Sequence, residues 1–154
     1  MATLYSNQKT KWSQNVPSEK IDTNELSGKM RIAFADITLA SASIADVVEL
    51  VNLPNGARII DGYLTNAALG SSTTLSVGNA AYKNAAGTTV NASATAYLAA
   101  TSTSSAARTD IFATQALGAN SVVDANQDGL PITATLAGGT ASGVVQIAIR
   151  YVVD

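Results

Sequence analysis

The hydrophobic positions of this chain fall into short alternating runs separated by Gly, Pro and Asn. The clearest run is the last: in GVVQIAIRYVV, Val145, Ile147, Ile149, Tyr151 and Val153 take alternate places, opposite Gln146 and Arg150. A period of two puts successive side chains on opposite faces of a strand, so this segment has one apolar and one polar face. DVVELVNL, RIIDGYLTN, TTLSVG, RTDIFATQ and LPITATLA are also rich in β-branched residues, which fit the pleated surface of a sheet. In MRIAFADITLA, Met30, Ile32 and Phe34 share one phase and Ile37 and Leu39 the other. That shift predicts a bulge near Ala35 and Asp36. Pro54-Asn55-Gly56-Ala57, between two such runs, predicts a hairpin.

Two segments do not follow this pattern. Residues 79–107 are dominated by Ala, Ser, Thr, Asn and Gly, with Tyr82, Val90, Tyr97 and Leu98 as the large anchors. Alanine favours helix and its neighbours here do not, so the reading is long loops with one short helix near residues 94–100. Residues 1–28 hold single apolar side chains with no sustained period, and Pro17 interrupts them. They read as an extended N-terminal arm, residues 1–28, ahead of a body over residues 29–154. Seven or so strands with turn residues between them and no amphipathic helix predict an all-β fold. The architecture expected is an antiparallel β-sandwich, jelly-roll-like, with GVVQIAIRYVV available as an edge strand.

Composition supports this. At 154 residues, 47% hydrophobic and 13% charged, the chain is globular and of single-domain size, able to bury about 68–70% of its unfolded surface. The net charge is −2 and no run of Lys or Arg is present, which argues against nucleic acid as a partner. No stretch of about eighteen apolar residues predicts a membrane span, and MATLYSNQKTKWSQ lacks an apolar signal region, so synthesis and retention in the cytosol are expected. Cysteine and histidine are both absent. That removes disulfides, thiolate nucleophiles, most hydrolase triads and most zinc sites.

One motif suggests chemistry. VDANQDGL sets Asp124, Asn126 and Asp128 at alternate positions ahead of Gly129, as a calcium loop does. An EF-hand needs a bidentate Glu at its twelfth position and flanking helices. The twelfth position here is Thr135, the eighth is Pro131, and the flanks read as strand. The segment therefore reads as a turn, with Asp124, Asn126 and Asp128 kept as a weak candidate for oxygen ligation of a metal; no cofactor is expected. Asp36, Asp46, Glu49, Asp61, Asp110, Asp124 and Asp128 are spread without a pair that spacing singles out, so no enzyme is expected. GSSTTLSVG and GNAAYKNAAG lack the Lys-Ser/Thr ending of a phosphate loop. Asn91-Ala92-Ser93 has the spelling of a glycosylation acceptor, but no secretory signal is seen that would make it one.

Trp12, in a polar arm with no local partners, reads as an anchor that docks on the body or on another subunit. Leu4, Tyr5, Trp12, Val16 and Ile21 are the partner-binding candidates. Tyr63, Tyr82, Tyr97 and Trp12 would suit a sugar platform if they were clustered.

MATLYSNQ, PSEKI, NELSGKMRIAF, DVVELVNLPNGARIIDGYL, LGSSTTLSVGNA, YLAATS and IRYVVD occur in this order, and in that order the chain resembles a family of small virion structural proteins of tailed bacteriophages. LPNGARI and STTLSVG are its most specific blocks. Residues 79–107 depart from the family by being rich in Ala and Thr where an acidic stretch is expected. The resemblance implies a head decoration or cement protein on the outer surface of the capsid, bound to the major capsid protein and to itself as a homotrimer. It implies no catalytic residue. The other class the sequence leaves open is a carbohydrate-binding head-fibre or tail structural module.

Overall fold

The computed structural model describes residues 28–113 and 122–153. Among them there is no helix. There are ten strands: β1 (Met30–Ala42), β2 (Val47–Leu53), β3 (Arg58–Asn66), β4 (Thr74–Asn79), β5 (Tyr82–Lys83), β6 (Thr89–Val90), β7 (Ser93–Ser102), β8 (Ala107–Asp110), β9 (Leu130–Ala137) and β10 (Ala141–Val152). They form two four-stranded sheets, β1-β10-β3-β8 and β2-β9-β4-β7, and a small β5-β6 hairpin. Every named pairing is antiparallel. Strands β1 to β4 alternate between the sheets and so do β7 to β10, while β4 and β7 pair within one sheet with β5-β6 inserted between them, an order compatible with an eight-stranded jelly roll.

The alternation in the sequence builds the core. Leu64, Val145, Ile147 and Ile149 from the first sheet meet Leu53, Leu75, Val77, Ile132 and Leu136 from the second, all buried. Each fully buried side chain of this size contributes about 1.5–3 kcal/mol. Ile111 and Phe112, just past β8, are also buried, and Phe112 fills the space a side chain at Gly62 would need.

Several sequence expectations change. The predicted bulge near Ala35 is absent: β1 pairs with β10 without interruption from Met30↔Val152 to Leu39↔Gly143, and the irregularity falls between Leu39 and Ala42. The apolar phase shifts because the inward residues begin small, with Ala33 and Ala35 ahead of Ile37 and Leu39, while the large side chains Met30, Ile32 and Phe34 face out. Pro54 to Ala57 does turn the chain, with the Ala57 N–H donating to the Pro54 carbonyl at 3.1 Å. It makes no hairpin, since β2 and β3 lie in different sheets and each supplies core residues to its own. Residues 93–102 form β7 in place of loop and helix, because pairing with β4 satisfies their backbone and outweighs the helical preference of alanine. β10 is not an edge strand but is flanked by β1 and β3. The edges are β1, β8, β2 and β7.

Candidate functional site

The outer face of the β1-β10-β3-β8 sheet carries two adjoining features. On the edge strand, Met30, Ile32 and Phe34 form an apolar stripe, 57%, 64% and 60% exposed. The register sets Phe34 beside Ala148, Ala148 beside Tyr63, and Tyr63 beside Asp110. The next row is Ile32, Arg150 and Asp61. Arg150 Nε donates to Asp61 Oδ1 at 2.6 Å and its Nη2 to Oδ2, a bidentate pair. The hydrogen bond to Asp61 holds the Arg150 guanidinium pKa above its ordinary value, against the opposing effect of desolvation. Arg108 stacks on Tyr63 with its guanidinium carbon 4.0 Å from the ring centre, and Arg150 approaches the same ring at 5.9 Å. The face thus joins an apolar stripe, followed on the same face of β1 by the exposed Asp36, to a partly neutralised Arg-Tyr-Asp cluster.

The VDANQDGL segment is a turn between Val122, which bridges to Arg58, and β9. Asp124 Oδ1 accepts the Ala85 N–H at 3.0 Å, tying the turn to the β5-β6 hairpin. Asn126 Oδ1 accepts the Asp128 N–H at 3.0 Å, and Asn126 Nδ2 donates to Asp128 Oδ2 at 2.7 Å. The Gly129 N–H closes onto the Asn126 carbonyl at 3.1 Å with φ of +81°, the conformation that favours glycine here. Asp124 thus serves one neighbour, and Asn126 and Asp128 serve each other.

The other acids are likewise dispersed. Asp46 accepts the Ser43 N–H and Asp110 the Phe112 N–H, each capping a local turn. No cluster of three or more acids suited to a metal occurs among the described residues. Tyr63 is on the outer face, Tyr97 packs on Phe112 with ring centres 5.1 Å apart, and Tyr82, the first residue of β5, is half-buried and near enough to Tyr97 to act on it electrostatically. Leu4, Tyr5, Trp12, Val16 and Ile21 lie outside the described residues. The sequence reading placed Met30, Ile32 and Phe34 on one face but not which face; the small Ala33 and Ala35 between them were the available signal.

No protein family matches the chain, and no curated protein matches it. Its fold has solved neighbours. A chain of the cyanophage Pam1 capsid asymmetric unit superposes with a TM-score of 0.57 at 19% identity, covering 84% of this chain and 88% of that one. A chain of the capsid of Ralstonia phage GP4 superposes with a TM-score of 0.59 at 20% identity, covering 82% and 86%. At this identity the likeness establishes a shared all-β fold.

Proposed function

We propose that this protein is a structural component of a phage virion, a decoration or cement protein that binds the outer surface of the head and reinforces contacts between major capsid subunits. The observation that carries the reading is the apolar stripe Met30, Ile32 and Phe34 on a long strand that is an edge among the described residues, beside the Arg-Tyr cluster on the same face. Three large apolar side chains in a row on an edge are a liability in an isolated chain and an asset where a partner covers them. Aromatic and Arg side chains are the residue types that dominate interface energetics. The two solved structures described above come from phage capsids, which supports the same station for this chain.

The mechanism follows from the placement of the stripe. Residues 1–28 precede β1 in the sequence, so an arm anchored on a neighbouring capsid or cement subunit by Leu4, Tyr5, Trp12, Val16 and Ile21 would tether the stripe beside that subunit. The rigid sandwich transmits that attachment across the subunit boundary. Self-association as a homotrimer would cover β1 edges and multiply the contacts with the head.

The test is co-sedimentation with purified heads from which the protein has been stripped. The full chain is expected to bind in a fixed ratio to the major capsid protein and to raise the temperature at which heads rupture. A chain lacking residues 1–28 should remain folded and lose binding. Full binding by that chain would sink the role given to the arm, and no binding by the full chain would sink the cement reading.

A further inference from the structure

A cleft of about 400 Å³ opens between the β5-β6 hairpin and the Asn126–Asp128 turn, lined by Asn52, Tyr82, Lys83, Thr89, Asn126 and Asp128 over a Pro131 floor. None of its strands belongs to the β1-β10-β3-β8 sheet. We propose that this cleft binds a neutral sugar residue, a function separate from the capsid role and independent of it.

The walls are fixed to one another before any ligand arrives. The Asn126 N–H donates to the Lys83 carbonyl at 2.8 Å, the Ala85 N–H to Asp124 Oδ1 at 3.0 Å, and Asn52 Nδ2 to the Asp128 carbonyl at 3.4 Å. The Ala80 N–H reaches the Pro131 carbonyl at 3.3 Å, joining the approach to β5 to the start of β9. Hairpin, turn and sheet are therefore held together by bonds outside the ladders, so little ordering remains to be done on binding.

What these bonds leave over selects the ligand. Asp128 uses Oδ2 for Asn126, and its Oδ1 has no bond to another described residue. Asn52 uses its amide nitrogen, and its Oδ1 is free in the same sense. The Lys83 ammonium and the Thr89 hydroxyl likewise take no partner among the described residues. Two acceptors, Asp128 Oδ1 and Asn52 Oδ1, are thus left at a cleft that Tyr82 and Pro131 also line, while Lys83 and Thr89 pair on the hairpin face opposite Tyr82. A sugar ring matches this set, since its hydroxyls can donate to both acceptors while the ring's C–H surface covers Tyr82 and Pro131. A phosphate is disfavoured by Asp128, and a planar base would want a second aromatic wall. The volume lies in the lower part of the roughly 300–1,000 Å³ range of small-molecule clefts.

The test is a titration of the ¹⁵N-labelled full chain, followed through its amide resonances, with N-acetylglucosamine, methyl α-D-glucoside, methyl α-D-galactoside and glycerol. At least one sugar is expected to give saturable shifts at Tyr82, Lys83, Asn126 and Asp128, with glycerol giving none. Asp128→Asn keeps an acceptor for Asn126 Nδ2 and preserves the turn while removing the charge; it should weaken binding at least tenfold, and Phe34→Ser on the other sheet should leave it unchanged. The proposal is overturned if no sugar shifts these amides, if glycerol shifts them equally, or if Asp128→Asn binds as the native chain does.

Discussion

The hydroxyl of Thr103 donates to the hydroxyl of Thr73 at 2.9 Å, with both side chains fully buried. Thr73 passes the bond on to the Gly70 carbonyl at 2.9 Å, and the Thr103 N–H donates to the Thr73 carbonyl at 2.9 Å. A relay of this kind joins the loop before β4 to the end of β7, its neighbour in the sheet. A buried hydroxyl needs its partner, and removing one member leaves the other stranded.

Thr73→Val is therefore expected to cost about 1–3 kcal/mol, since it strands the Thr103 hydroxyl. The double change to valine at both positions should cost less than the sum of the two single changes, because the second removes the group the first left unpaired. Urea unfolding of the four chains measures both quantities, and additive effects would show that the hydroxyls do not act as a pair.

Gly78 marks a second joint. From Val77↔Leu98 to Asn79↔Ser93 the ladder advances two residues on β4 and five on β7, so β7 bulges across Gly78. A Cβ there would lie 1.8 Å from the Ser93 carbonyl oxygen. Gly78→Ala should cost about 3 kcal/mol or more and expose the β7 amides to hydrogen exchange. At Gly87, with φ of +81° and open space around it, the same substitution should cost only about 1–2 kcal/mol.

These joints show which parts of the fold were legible in the sequence. β9 and β10 could be read because their large apolar residues alternate and face a core that needs them, and β3 because it is rich in β-branched residues. β7 could not, because its alanines carry no period and its strand state comes from β4, far away along the chain. Pro54 to Ala57 announced a turn, but whether a turn joins neighbours in one sheet or crosses to the other depends on where the next strand finds its partner. The Asn126–Asp128 turn was legible from its own residues. The cleft beside it was not, because Asn52, Tyr82 and Asp128 meet only when β2, β5 and the turn are brought together. On β1 the spacing of Met30, Ile32 and Phe34 was visible, but the sense of the face depends on β10 supplying Val145, Ile147 and Ile149 to the core side.

Burial, with a smaller contribution from Tyr82, pushes the Tyr97 hydroxyl from its ordinary 10.0 up to about 12. The folded chain then keeps this proton where the unfolded chain has lost it, so unfolding releases a proton and stability falls as pH rises from about 10 to 12. The expected loss across that window is on the order of 2–3 kcal/mol, with no contribution from this group below pH 9. Tyr97→Phe retains the ring beside Phe112 and should remove this component. Denaturant unfolding at pH 9 and pH 11 on both chains reads the difference; an unchanged slope in the variant would assign the pH dependence to other groups.

Variants of the stripe on β1 can separate stability from the binding proposed for it. Ile32 and Phe34 are 64% and 60% exposed, so replacing both with serine removes little that folding uses, and the change in unfolding free energy should stay within about 0.5 kcal/mol per site. If the stripe is covered by a capsid partner, each side chain loses water contact only in the assembly, and the whole cost appears in binding. The double variant should then bind heads at least tenfold more weakly, about 1.4 kcal/mol or more, with an unchanged melting temperature for the free chain. Co-sedimentation and calorimetric melting run on the same preparation give both numbers. Native affinity in the double variant would move the contact surface to another face of the sandwich, and a lowered melting temperature would show that the stripe serves the fold.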